Sequence, residues 1–245
     1  MSEPGKVQRI SLQPAYLIHS RPFRDTSLII EVLTPQFGRI SLMARGVRSA
    51  TSNRRALLQP FRSLLISWQG RGDLPTLTAV EEAGKALLLD GIHLACGYYL
   101  SELVQRLVPG GEMQAEVFAL YDRAIRELAS AADPEQVLRL AEVQLLSALG
   151  LLPDLHSDAG SGELIEAAAR YRLDAQVGAL RDDAGPGTVS GRTLQALAAG
   201  VWEDRQTLTE SKAVMRRLIG YYIGDKPLKS RELFRAYAVK PKDES

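Results

Sequence analysis

The sequence predicts an α+β protein of several domains: a five-stranded β-barrel of the OB type, then an α-helical bundle carrying a small inserted α/β module. Three observations lead there. Residues 15–83 read as short β-rich runs separated by turn residues. Beyond Glu82 the apolar residues recur at helical spacing. A stretch at 151–190, with Gly and Ser clustered at 160–162 and a second turn at 184–188, then interrupts that spacing before it returns. The boundaries that follow are 1–83, 84–150, 151–190 and 191–245.

The first strand is AYLIHS at 15–20, followed by a charged connection from Arg21 to Asp25. Ser27–Leu33 is rich in β-formers. Thr34–Gly38 makes a turn, with Pro35 fixing φ and Gly38 free to adopt positive φ. Arg39–Ala44 alternates as a half-buried strand does. The segment from Ala44 to Trp68 has no acidic residue; Arg45, Arg48, Arg54 and Arg55 frame a polar loop with Ser49, Thr51, Ser52 and Asn53, and an apolar run from Leu57 to Trp68 predicts the fourth strand. Gln69–Asp73 is a glycine-rich hairpin turn into a fifth strand, Leu74–Val80. Five strands with a long link between the third and fourth fit a small Greek-key barrel of the OB type, whose sheet face and loops commonly bind oligonucleotides. An SH3-type barrel has a similar strand count, and the strands alone leave both open.

Ile92, Ala95, Tyr99, Leu103 and Leu107 mark the first helix, which Pro109-Gly110-Gly111 ends. Val117 to Leu128 repeats the pattern. Asp133-Pro134-Glu135 is an N-cap, a proline at the first helical position and an acid in the first turn; that helix stops at Gly150. Within 151–190 short strands are predicted near Ala168–Leu173 and Gln176–Leu180. Helical spacing then returns from Leu194 to Ala198 and from Ala213 to Tyr222, where Gly224 ends it. Ser230 is a candidate N-cap for one last short helix, and the tail KPKDES is expected to fray.

The net charge of +1 conceals a strong asymmetry. Residues 1–75 carry +7, residues 76–210 carry −11 and residues 211–245 carry +5. Two basic ends around an acidic middle suggest separate surfaces for an anionic polymer and for other partners. No apolar run approaches the roughly 20 residues of a membrane span, and the amino terminus has no apolar signal core, so a cytoplasmic protein is expected. The single cysteine, Cys96, excludes an internal disulfide and a cysteine-rich zinc site.

Catalysis needs convergent polar groups, and few are offered. His19, His93 and His156 are the only histidines, and no phosphate-binding loop, nucleophile elbow or HExxH motif is present. A non-enzymatic binding protein without a cofactor or metal is the expectation. The residues expected to meet phosphate are Arg39, Arg45, Arg48, Arg54, Arg55 and Arg71, with Arg21 and Arg24 from the first loop. Lys226, Lys229, Arg231 and Arg235 extend that surface if the carboxyl-terminal segment packs back on the barrel. Phe23, Phe37 and Trp68 are candidates for stacking bases, with a core role for Trp68 as the competing assignment.

The chain also resembles a known family. AYLIHSRP at 15–22, Asp25-Thr26-Ser27-Leu28, ARGVR at 44–48, LLQPF at 57–61, GRG at 70–72 and KPLKSRELF at 226–234 together resemble RecO, the bacterial recombination mediator and DNA repair family. The resemblance runs in order from about residue 13 to 237. It implies an OB barrel, a helical domain and an inserted module near residue 155. It further implies binding to single- and double-stranded DNA, strand annealing, and contact with the acidic tail of single-stranded DNA-binding protein. With RecR, such proteins help RecA displace that protein, which places this chain in the cytoplasm with the nucleoid. Leu138 and Arg139 on the Asp133-capped helix, and more weakly Arg123 and Arg126, are the residues expected to dock the acidic tail, with simple bundle core as the competing assignment for Leu138. Many members hold zinc through four cysteines in the inserted module; here His156-Ser157-Asp158-Ala159-Gly160 stands at the first pair, without a cysteine. The competing readings are a protein-interaction adaptor and an RNA-binding OB protein.

Overall fold

The structure, a computed structural model, describes residues 8–49, 52 and 54–238. Ala50, Thr51 and Asn53 of the basic loop, and the tail beyond residue 238, lie outside the described residues.

Five strands, β1 (Gln8–Phe23), β2 (Ser27–Thr34), β3 (Gly38–Ala44), β4 (Ser63–Gly70) and β5 (Thr76–Glu82), close into a barrel in the order β1-β2-β3-β5-β4. This is the OB arrangement. The long β1 makes closure possible: residues 8–16 pair antiparallel with β4, and residues 16–23 pair antiparallel with β2. Register shifts between Ile10 and Gln13 and between Leu17 and His19 bend it between its two partners. The ring is completed by the parallel pairing of Met43 on β3 with Thr76 on β5.

Strand alternation decides what fills the barrel. Ala15, Leu17, Ile30, Val32, Leu42, Leu64, Ile66, Trp68 and Leu77 point inward and are buried. Each large aliphatic side chain so placed contributes roughly 1.5–3 kcal/mol of transfer free energy. The apolar run at 57–68 is not one strand. Pro60 cannot donate to a ladder and Phe61 has φ +63°, so the chain breaks there. Residues Arg54–Leu57 form a short helix, α1, and β4 begins only at Ser63.

Three further helices follow: α2 (Gly91–Leu107), α3 (Ala115–Ala129) and α4 (Pro134–Ala148). Asp133 caps α4, its carboxylate accepting from the Glu135 amide at 2.9 Å, and Gly150 follows with φ +66°. The inserted stretch holds a three-stranded sheet of order β7-β6-β8, made by β6 (Arg170–Asp174), β7 (Gly178–Arg181) and β8 (Val189–Ser190). Helices α5 (Gly191–Ala199), α6 (Arg205–Ile223) and α7 (Ser230–Ala238) complete the chain.

Two compact units result: residues 1–130 with 228–245, and residues 131–227. These borders differ from those read in the sequence because α2, α3 and α7 share a unit with the barrel. In the first unit α2 lies on β1, α3 reaches β2, and α7 lies on α2. In the second, α6 packs on α4 and α5, and the Tyr222 hydroxyl donates to the Ala175 carbonyl at 3.0 Å.

Candidate nucleic-acid interface

The two ends of β3 have different surroundings. At its start, Gly38 bridges to Gly110, the Gly111 amide donates to the Arg39 carbonyl, and the Gln114 amide donates to the Pro35 carbonyl. The α2–α3 connection therefore covers the β2–β3 turn. Gly38 has φ +59°, and a Cβ there would collide with the Glu112 carbonyl, so only glycine allows the approach.

At the other end of β3 three loops converge. Leu28 pairs with Ala44, which sets the β1–β2 turn beside the strand's exit. The Met43 amide donates to the Pro75 carbonyl at 2.8 Å, bringing in the end of the β4–β5 turn. The third loop leaves β3 through Gly46 (φ +68°) and leads to α1. Arg21, Arg24, Arg45, Arg48 and Arg71 are exposed around this exit, and Arg54 and Arg55 are exposed on α1. Among the described residues, the ion pairs made by barrel arginines are Arg39–Glu31 and Arg62–Glu82. The seven exposed arginines are in neither.

Individual contacts separate these arginines further. Arg48 staples two loops: its amide donates to the Thr26 carbonyl at 2.8 Å, and its Nη1 donates to the Arg24 carbonyl at 3.1 Å. Arg54 Nη2 donates to the Thr78 carbonyl at 3.0 Å, holding α1 on β5. Between the β1–β2 turn and the β3 exit lies an open groove of about 480 Å³, lined by Phe23, Arg24, Thr26, Met43 and Arg45 among others.

Arg39 belongs elsewhere. It stands at the covered end of β3, where Nε donates to the Val108 carbonyl at 3.0 Å and Nη1 meets Glu31 at 2.9 Å. Gln105 of α2 donates to the same Glu31 carboxylate at 3.1 Å. The outer face of β2, where OB barrels often take ligand, is here covered in part by helices: Ile29 and Leu33 are buried, and Tyr16 beside Leu33 is fully buried.

The aromatic candidates also divide. Trp68 is in the barrel core and meets Phe37 edge-on with ring centroids 5.2 Å apart. Phe23 stays at the groove, with the Arg24 guanidinium 5.3 Å from its ring centroid. Met43 and the stapling role of Arg48 were not legible in the sequence; period-2 counting back from Arg45 places Met43 on the outer face, but nothing local names its neighbours.

The carboxyl-terminal cations lie along a different surface. Helix α7 lies on α2, with Tyr99 and Phe234 packed edge-on, 6.0 Å apart. Its start is held by Glu102, whose carboxylate accepts from the Lys229 and Ser230 amides at 2.9 Å each. Burial alone would raise the Glu102 carboxyl, but these amides outweigh it and hold it below its ordinary value. Lys226 and Lys229 are exposed and Arg231 is half-buried, whereas the Arg235 side chain lies outside the described residues.

Of the residues expected to dock an acidic tail, Arg123 is exposed on α3. Leu138 and Arg139 are only 6 % exposed each. The Arg139 guanidinium is neutralised three residues along by buried Glu142, at 2.6 Å, so the structure places both residues in the interior instead of on a basic rim.

The inserted stretch contains His156–Gly160, where the resemblance would place the first cysteine pair that many members have. Asp154 accepts from the His156 amide and the Ser157 hydroxyl. Asp158 is buried and accepts from the amides of Gly160 at 2.7 Å and Arg181 at 3.2 Å. These carboxylates are used in closing the loop, and no thiol is present, so the residues here do not fit a zinc ion. Among the described residues no three His, Cys, Asp or Glu side chains form a metal-binding group, and Cys96 is buried in α2. No described helix is long and apolar enough to cross a membrane.

The closed barrel and its position ahead of the helices place the chain among proteins built on an OB-type domain. Comparison with known proteins narrows this. Residues 9–84 match the family Recombination protein O N terminal, and residues 88–232 match Recombination protein O C terminal. The chain is 45% identical over 228 residues to a DNA repair protein RecO of Nitrosococcus oceani, covering 92% of this chain and 93% of that one. It is 42% identical over 234 residues to the RecO of Methylococcus capsulatus (95% and 96% covered), and 40% identical over 235 residues to that of an Azoarcus species (93% and 96%). The chain belongs to the RecO family of DNA repair and recombination proteins.

Proposed function

We propose that this protein is a non-enzymatic mediator that binds DNA strands by their phosphates and anneals them. The observation that carries the reading is the convergence of three loops at the β3 exit, with seven exposed arginines there and on α1 outside the barrel's ion pairs. Such a surface lowers the repulsion between two strands by releasing counterions, and it reads no sequence because arginine on phosphate carries none. Arg21, Arg24, Arg45, Arg54, Arg55 and Arg71 are the proposed phosphate contacts, with Arg48 at their centre holding the loops. Arg39 is left to the barrel–helix contact. Lys226, Lys229, Arg231 and Arg235 are proposed as an auxiliary surface.

The proposed partners are RecR, RecA through the loading step, and the acidic tail of single-stranded DNA-binding protein, with Arg123 as its exposed candidate contact. The setting is the cytoplasm, at the nucleoid. A salt titration with a fluorescent single strand tests the core of the reading. The expected log–log slope is about −0.7 per phosphate neutralised; affinity that is absent at low salt, or flat across the titration, would overturn it. Annealing is tested separately, with complementary strands coated by single-stranded DNA-binding protein.

A further inference from the structure

The groove at the β3 exit contains more than charge. It is lined by Phe23 and Met43, both partly exposed, by the exposed Arg24 and Arg45, and also by Asp25, Thr26, Ser27 and Gly46. Apolar surface of this kind does nothing for a phosphate. A nucleobase, by contrast, offers a flat π-face that stacks on an aromatic ring whatever its sequence. The volume of about 480 Å³ falls within the range of small-ligand pockets and is ample for one base with its sugar.

A second observation concerns how the groove is held. Arg24 has φ +52°, a left-handed conformation that is uncommon for a side chain with a Cβ. Such strain persists only where neighbours over-determine it, and it gathers at binding sites. The neighbour here is Arg48, which donates to the carbonyls of both Arg24 and Thr26. The strained turn sets the Arg24 guanidinium over the Phe23 ring. A base entering the groove takes the ring face that Arg24 covers and releases that cation to the adjoining phosphate.

We infer that this groove is a subsite for one unpaired nucleotide of a single DNA strand: the base stacks on Phe23 against Met43, Arg24 and Arg45 take the flanking phosphates, and Arg48 is a positioning residue that fixes the turn. The inference rests on the phosphate-binding reading above and deepens it. A paired base has no free face to offer, so the subsite favours single strands over duplex.

The test uses the full chain and three labelled probes of equal length: an oligothymidylate, an abasic strand with the same phosphates, and a duplex. The wild-type protein should hold the thymidylate strand about tenfold more tightly than the abasic one. Phe23→Leu, which keeps apolar bulk and removes the ring, should erase that ratio. Equal binding of thymidylate and abasic strands by the wild-type protein, with the salt dependence intact, would overturn the subsite while the phosphate reading stands. Loss of salt-dependent binding to every probe would overturn both. A Phe23→Leu protein that keeps the tenfold ratio would remove Phe23 from the role and with it the proposal. The abasic comparison needs no variant, so it remains decisive even if the substituted chain folds poorly.

Discussion

The Tyr16 hydroxyl on β1 donates to Asp122 Oδ1 on α3 at 2.5 Å, a bond between residues 106 positions apart that ties the barrel to the helices of its own unit. Asp122 is also held by Arg126 at 2.9 Å, and the Tyr16 ring packs on Phe118 and Tyr121. Tyr16→Phe keeps the ring and removes one charge-assisted bond. It should cost about 1.5 kcal/mol in urea unfolding and leave DNA affinity unaltered.

The same region contributes to the pH dependence of stability on the alkaline side. Burial pushes the phenols of Tyr16 and Tyr121 well above their ordinary value, and for Tyr16 the Asp122 carboxylate adds to the effect. A raised folded pKa means that the folded state keeps its proton when the unfolded chain has lost it. Their contribution is therefore complete below about pH 10, the ordinary tyrosine value, and declines as the pH rises from there. The denaturation midpoint should fall above pH 10, and less steeply in Tyr16→Phe.

Arg45 and Arg71 differ from Arg39 in a way that one experiment can read. Arg45→Ala and Arg71→Ala should each make the salt slope for single strands shallower by about 0.7, with little change in melting temperature. Arg39→Ala should do the reverse. It removes the Arg39 bond to the Val108 carbonyl and leaves the Glu31 carboxylate with only its bond from Gln105, costing about 1–3 kcal/mol while the slope holds.

Arg139 and Glu142 form a buried pair on α4. Removing one partner leaves a charge in the interior, so Arg139→Met alone should destabilise by about 3–5 kcal/mol. Arg139→Met with Glu142→Leu should recover most of that loss. If chemical denaturation found the double variant no more stable than the single one, the pair would have a role beyond mutual neutralisation.

Glu102 caps α7 with two amide bonds at a helix amino terminus, where negative charge is favoured. Glu102→Ala should loosen α7 from α2 by about 1–3 kcal/mol, visible as faster hydrogen exchange in residues 230–238. Because its carboxyl is held below the ordinary value, its contribution is complete above about pH 4.5 and lost as the pH falls through the lower, folded value. Chemical shifts of the Lys229 and Ser230 amides should report that acid transition.

Much of this architecture was legible in the chain because alternation and turn chemistry are local. Pro35 and Gly38 marked the β2–β3 turn, and Asp133-Pro134 marked the start of α4. The limits lay in contacts distant in sequence. Nothing near Arg39 announces that its guanidinium meets a carbonyl at Val108, so it read as one more surface cation. Arg139 read as a rim residue because its partner, Glu142, is an ordinary helical neighbour until the whole face is buried. The run from Leu57 to Trp68 looked continuous because a break made by Pro60 and Phe61 depends on a backbone angle that Phe rarely adopts. The cationic character of the barrel was plain, whereas the groove beside Phe23 needed the pairing of Leu28 with Ala44 to exist at all.

The division of the chain has a consequence for its synthesis. Residues 131–227 form a unit of their own, inserted between the parts of the other, and α7 leaves the ribosome after that unit. Until it does, Tyr99 on α2 lacks its ring contact with Phe234. At roughly 5–20 residues per second the wait between α3 and α7 lasts roughly 5–20 s. The barrel unit is thus begun before the inserted unit and completed after it, and a chain truncated before Leu228 lacks the helix whose start Glu102 holds.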